Sequence, residues 1–256
     1  MPPTVSNRNL AEGSTGSAQP GVVGMELGLG GIALLAMLAA LVRLATGAEA
    51  DDVLWVISLA VATYLGMAVL LWCALMRRPQ RQGGLGAANR VTLARGVLVA
   101  LITGTLADPA LLAAYGAWLF ALALIALALD GVDGWVARRT ASTSTLGARF
   151  DMELDAFFIL VLCLALLRLD RVGPWVLAIG AMRYAFVAAG CRWPWLANDL
   201  PESFRRKVVC VWQVVALMLA LLPATPDTLA SWLAATALAG LAGSFAVDIR
   251  WLYRHR

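Results

Sequence analysis

Between Leu27 and Val247 the chain passes through one apolar stretch after another of bilayer-spanning length, and this repetition constrains its fold more than any single motif. A helix rises 1.5 Å per residue, so about 20 apolar residues cross a hydrocarbon core of about 30 Å. Val53 to Met76, Pro109 to Leu129, Val208 to Thr225 and Thr228 to Val247 carry no charge at all, and Leu27 to Leu44 is interrupted only by Arg43. Three further spans carry charges: Val91 to Ala107 with Arg95, Gly147 to Leu167 with Arg149, Asp151, Glu153 and Asp155, and Val172 to Cys191 with Arg183. The expected fold is an all-α integral membrane protein of eight transmembrane helices.

Composition excludes the alternatives. Hydrophobic residues make up 61% of the 256 and charged residues only 14%, against roughly 25% charged in soluble domains. Too few polar groups remain to coat a soluble surface, and disorder of the whole chain needs the opposite balance. The net charge of +4 is modest, and the 10 Trp suit anchoring at the membrane interface better than nucleic-acid binding. The four cysteines stand singly in or beside apolar runs, and the one histidine is His255, so neither a disulfide framework nor a zinc site is expected.

Residues 1–24, rich in Ser, Gly, Pro and Asn, read as a mobile tail without the basic cluster or cleavage site of a signal peptide. Residues 25–76 read as a two-helix extension with no carboxylate inside either span, and residues 77–256 as the remaining six-helix core. Arginine placement orients the spans. With a cytoplasmic N-terminus, Arg77, Arg78, Arg81, Arg138, Arg139, Arg205, Arg206, Lys207, Arg250, Arg254 and Arg256 all fall inside, while Glu49, Asp51, Asp52, Asp108 and Asp227 fall outside. This follows the positive-inside rule. A cell (inner) membrane protein with both termini and the loop Gly131 to Leu146 in the cytoplasm is expected.

In so apolar a chain, carboxylates at span ends are the informative residues. Asp130 closes an uncharged run and Asp133 follows at i+3 on the same helical face; Asp151 and Asp155 sit at i, i+4 near the start of the next helix. Glu153 points roughly 200° away from that face, at about 100° per residue. Spans joined by a short loop are antiparallel neighbours, so the two pairs meet at one end. A single aspartate at a helix end is more often a cap, but four clustered anions repel unless cations intervene. Oxygen-only ligands select hard cations, Mg2+ or Mn2+. Arg95 and Arg183 lie about 9 and 12 Å deep in their spans and are expected to face inward, toward the acidic cluster rather than the headgroups.

Asp130-Gly-Val-Asp133-Gly134-Trp-Val-Ala137-Arg138, followed by Gly147, Asp151 and Asp155 at fixed spacing, resembles the signature of the CDP-alcohol phosphatidyltransferases. Asn89-Arg-Val-Thr92-Leu-Ala-Arg95 is similar to the segment that opens the family's first core helix. The resemblance covers about Ala88 to Asp248. It implies transfer of a substituted phosphoryl group from a CDP-linked donor to an alcohol, with release of CMP, by a homodimer in phospholipid synthesis. It implies that Asp130, Asp133 and Asp151 bind the metal, joined by Asp155, which is also the general base. It places Gly134, Ala137, Arg138, Ser144 and Gly147 against the nucleotide and its diphosphate, with Asn89, Thr92 and Arg95 nearby.

Arg183 and Lys207, the only lysine, are expected to bind an anionic acceptor, such as a phosphorylated polyol. The family's Lys-x-Lys-Thr run ahead of a Gln is incomplete here: Lys207 and Gln213 remain, while Val209 and Cys210 replace the second Lys and the Thr. The expected donor is CDP-diacylglycerol. A CDP-choline or CDP-ethanolamine phosphotransferase acting on diacylglycerol shares the signature. An intramembrane prenyltransferase does not require Gly134, Ala137, Arg138 and Gly147, and a cation-binding transporter is favoured by repeated halves, which the sequence does not display.

Overall fold

A computed structural model of the protein describes residues 20–44, 50–76, 85, 87–140, 145–198, 200–201 and 203–255. Among these residues the structure is helical, with no strand. In chain order the helices are α1 (Pro20–Leu44), α2 (Ala50–Met76), α3 (Ala87–Thr105), α4 (Pro109–Ala114), α5 (Gly116–Thr140), α6 (Thr145–Arg168), α7 (Leu177–Arg192), α8 (Phe204–Leu221) and α9 (Asp227–Arg254). Leu- and Ala-rich runs favour this outcome, because both residues lose little freedom in a helix.

Among the described residues, four helical segments are long and apolar enough to cross a membrane: Gly21–Leu44, Ala50–Met76, Pro174–Arg192 and Asp227–Arg254. Their outer faces expose Ile32, Trp55, Leu70 and Trp232, an apolar surface that suits lipid rather than water. The protein is a multi-pass membrane protein. In α3, α6 and α8, Arg90 and Arg95, the α6 carboxylates and the Arg205-Arg206-Lys207 run lower the apolarity.

The elements depart from the expected spans in three places. The uncharged run from Pro109 is not one helix but breaks at Tyr115, whose hydroxyl donates to the Leu44 carbonyl at 2.6 Å. Asp108 starts the first piece by accepting from the amides of Ala110 and Leu111 at 2.9 and 3.1 Å, a side-chain cap. At its other end α5 continues through Thr140, so much of the segment expected as a loop from Gly131 is helical. Finally, α1 begins at Pro20, so Pro20 to Gly24 belong to a helix rather than a tail, and Glu26 lies inside it.

Glu26 corrects the expectation that the extension holds no carboxylate within a span. It is buried and accepts from the Leu85 amide at 2.9 Å and from Arg90 Nε and Nη2 at 2.9 and 2.5 Å. A buried carboxylate is tolerated where such donors satisfy it. The ion pair ties α1 to the start of α3.

Helix α3 is the hub. One side, with Leu93, Val97 and Leu101, packs into an apolar cluster with α1 and α2. The other, with Leu98, Val99 and Ile102, packs with α5, α6, α8 and α9. Gly104 makes the α2–α3 crossing close: a Cβ there would lie 2.7 Å from the Val56 carbonyl and 2.8 Å from the Ala60 methyl. Gly180 does the same for α7, where a Cβ would meet Leu160 Cα at 2.8 Å. Small residues at such crossings let membrane helices approach without a hydrophobic driving force. The extension thus covers one face of α3, and α3 carries the arginine around which the site is built.

Candidate active site

Arg95, 3% exposed, projects from α3 into the space between α5 and α6. Its Nη1 lies 2.8 Å from Asp130 Oδ1 of α5 and also pairs with Asp151 Oδ1, while Nη2 pairs with Asp155 Oδ1, both of α6. The three carboxylates are each about one-third exposed, so they face outward from a buried guanidinium. The spacing explains the convergence. Asp151 and Asp155 share one helical face through their i, i+4 separation, and the antiparallel α5 brings Asp130 to the same end. Arginine's planar fork lets one cation hold several carboxylates in register.

Oxygens of Asp130, Asp151 and Asp155 come within 4.8 Å of one another. This donor set fits a hard divalent cation. A carboxylate has about four lone-pair directions, more than Arg95 uses, and among the described residues of the cluster three anions face one guanidinium. Asp133, Gly134, Ala137 and Arg138 lie on the last turns of α5, but their side chains fall outside the described structure, as Ser144 does altogether. Gly147 is buried in the first turn of α6. Asn89 and Thr92 are buried near the start of α3, and Asn89 Nδ2 donates to the Leu85 carbonyl at 2.7 Å.

Two of the spaces beside α6 carry charged side chains. One is an apolar groove of about 890 Å³ between α2 and α6, with Gly66, Met67 and Leu70 on one wall, Phe150, Leu154 and Phe157 on the other, and Thr63, Arg149, Glu153 and Tyr184 as its polar members. The second is a cavity of about 400 Å³ among α6, α7, α8 and α9. Asp155, Arg183, Arg206, Lys207, Gln213 and Asp248 are its polar and charged lining, together with Ser244. Arg183 pairs with Glu153 at 2.5 Å, linking α7 to the face of α6 turned away from the aspartates. Asp248 is held by Arg205 Nη2 at 2.6 Å, with Arg206 Nη1 at 3.7 Å, and Arg205 Nη1 also donates to Ser244 Oγ at 2.5 Å.

Asp248, Ser244, Arg205 and Arg206 were not expected as site residues. The i, i+4 spacing of Ser244 and Asp248 on α9 was the available signal, since it sets both polar groups on one face of an otherwise apolar helix.

Residues 85–243, more than half of the chain, match the CDP-alcohol phosphatidyltransferase family. The chain belongs to that family. No curated protein and no solved structure matches it. A CDP-alcohol phosphatidyltransferase is a membrane enzyme of phospholipid synthesis that uses a CDP-linked donor, an alcohol acceptor and a divalent metal. All three described aspartates and Arg95 lie within the matched residues, whereas α1 and α2 precede them. In this phosphatidyltransferase the pair of helices that covers α3 thus lies ahead of the matched residues.

Proposed function

We propose that this phosphatidyltransferase moves the phosphatidyl group of CDP-diacylglycerol to a polar, phosphorylated alcohol, with release of CMP on the cytoplasmic side of the cell membrane. The observation that carries the reading is the convergence of Asp130, Asp151 and Asp155 on one buried arginine at a shared end of α5 and α6. Asp133, at i+3 from Asp130 in the sequence, is assigned to the same ligand set. A divalent cation held by these four carboxylates, Mg2+ or Mn2+, supplies charge neutralisation at the diphosphate and stabilises the CMP leaving group.

The residues of the chain divide the remaining work. Arg95 fixes the relative positions of three carboxylates that would otherwise repel. Gly134, Ala137, Arg138, Ser144 and Gly147, with Asn89 and Thr92, hold the nucleotide and its diphosphate. Asp155 faces both the cluster and the second cavity, so it can take the proton of an acceptor hydroxyl bound there. The acceptor oxygen then bonds to the phosphorus as the bond to the CMP oxygen breaks. Arg183 and Lys207 on the cavity wall favour an acceptor with an anionic group. The apolar groove along α6 suits the acyl chains of a lipid reactant.

Eight membrane crossings with both termini inside, and a homodimeric assembly, complete the reading. Cysteines introduced singly at Ser142 and Asp227 should label from opposite sides of the membrane, and labelling of both from one side would refute the topology. The reaction is tested by CMP release from CDP-diacylglycerol by purified protein with Mg2+ and a panel of alcohols. Release from CDP-choline with diacylglycerol, and none from CDP-diacylglycerol, would reverse the assignment of the lipid from donor to acceptor.

A further inference from the structure

Gln213 is a polar side chain in an apolar part of the molecule. It is 3% exposed, and among the described residues its Nε2 has no hydrogen-bond partner. It lines the cavity of about 400 Å³ that Asp155 also lines. The deeper neighbours around that cavity, Ile159, Ile179, Leu241 and Phe245, offer no side-chain hydrogen-bonding group.

Leaving an amide N–H group buried without a partner is costly, so a native protein seldom retains one unless something else satisfies it. Its height matters as well. Helices α6 and α8 begin at the same end of the bundle and pack together. Asp155 lies ten residues into α6 and Gln213 nine residues into α8, which puts them about 15 and 14 Å from their helix starts. The amide and the carboxylate therefore face one cavity at nearly the same depth. Cys210 and Lys207, three and six residues nearer the start of α8, line the same cavity toward its mouth.

We infer that Gln213 binds a second hydroxyl of the acceptor alcohol, next to the one that faces Asp155, and thereby selects polyhydroxylated acceptors over mono-alcohols. This inference rests on the function proposed above. An alcohol with one hydroxyl can offer it to Asp155 but leaves the buried amide unsatisfied. An acceptor with neighbouring hydroxyls satisfies both groups at one level of the cavity, while its anionic end reaches Lys207 and Arg206 nearer the mouth. A site built to hydrogen-bond a substrate hydroxyl rejects the analogue that lacks it far more strongly than an apolar pocket rejects a small change in size.

The test measures CMP release by the purified full-length protein with CDP-diacylglycerol and Mg2+. The acceptors are glycerol 3-phosphate and myo-inositol 1-phosphate, each beside the analogue lacking one hydroxyl next to the reacting one, and ethanolamine. The wild type should prefer a polyol over its deoxy analogue by at least about tenfold. Gln213→Leu should raise KM for that polyol about ten- to hundredfold, leave KM for the donor unchanged and remove the preference.

Gln213→Leu should also keep or raise Tm, because it replaces an unsatisfied buried amide with an apolar side chain of similar size. That readout separates ligand binding from a structural role. Gln213→Met provides a second apolar replacement should the leucine variant not fold. Equal use of a polyol and its deoxy analogue by the wild type overturns the inference, as does preferential use of ethanolamine. An unchanged acceptor KM in both variants, or a lowered Tm with donor and acceptor affected alike, does so too. Absence of CMP release with every acceptor has a different signature: the proposed function itself fails, and this inference with it.

Discussion

The two charged centres at this end of the bundle are built as inverses of each other. Around α3, α5 and α6 a buried arginine is surrounded by three part-exposed carboxylates. Between α8 and α9 a buried carboxylate, Asp248, is approached by two part-exposed arginines, Arg205 and Arg206. In each case the central charge is the one removed from solvent, and the surplus of the opposite sign is left outside. The first centre is therefore short of positive charge and suits a cation. The second is short of negative charge and borders the cavity proposed for an anionic acceptor. Asp155 and the cavity of α6–α9 connect them, so one enzyme can hold metal and acceptor at adjacent, oppositely charged sites.

Removing the surplus of the first centre should have the largest effect on turnover. Asp130→Asn, Asp151→Asn and Asp155→Asn should each lower CMP release by at least about a hundredfold while the protein still inserts in the membrane. Variants that retain activity within a few-fold would show that the cluster is only a structural ion pair.

Removing the central charge tests the inversion itself. Arg95→Met leaves three carboxylates facing one another and should cost about 3–5 kcal/mol of stability, read as a lowered Tm. Added Mg2+ should raise the Tm of this variant more than that of the wild type, because an external cation then takes over the balancing. Equal Mg2+ responses would break the account of Arg95 as the counter-charge.

At the second centre Asp248→Asn frees both arginines from their buried partner. It should lower KM for the acceptor by about tenfold without changing KM for the donor, as expected when ground-state and transition-state binding of one substrate are strengthened alike. A matching change in donor KM would mean that the two centres are not separate.

The smallest effect belongs to Glu153→Gln. Its pair with Arg183 is largely exposed, and such pairs contribute about 0–1 kcal/mol. CMP release should fall less than about threefold, and a loss as large as that of Asp151→Asn would place the functional face of α6 wrongly.

The acidic centre was legible in the sequence because charge is rare in these spans. Asp130, Asp151 and Asp155 stood out by spacing alone, and Arg95 by its depth in an apolar run. The basic centre was harder to read. Arg205 and Arg206 look like ordinary anchors at a helix start, and only their pairing with Asp248, more than 40 residues later, reveals another role. Pairing between distant helices leaves no local period.

Glu26 was hidden for a related reason. Apolarity marks where hydrocarbon begins, not where a helix begins, so a carboxylate just before Leu27 stands outside the first expected span although its partner Arg90 brings it inside the bundle. The same distinction accounts for α5, whose hydrogen-bonded backbone continues through Thr140 after its apolar run has ended. The break at Tyr115 coincides with a contact to Leu44 in another helix, a pairing that the sequence of residues 109–129 alone does not display.

The central claim is that the surplus of carboxylates around Arg95 binds a divalent cation. Mn2+ titration of the purified protein, followed by electron paramagnetic resonance of the free ion, tests it without reference to turnover. The account predicts saturable Mn2+ binding by the wild type, competed by Mg2+, that is lost in Asp151→Asn and retained in Asp248→Asn. Binding that is absent in the wild type, or undiminished in Asp151→Asn, would contradict it.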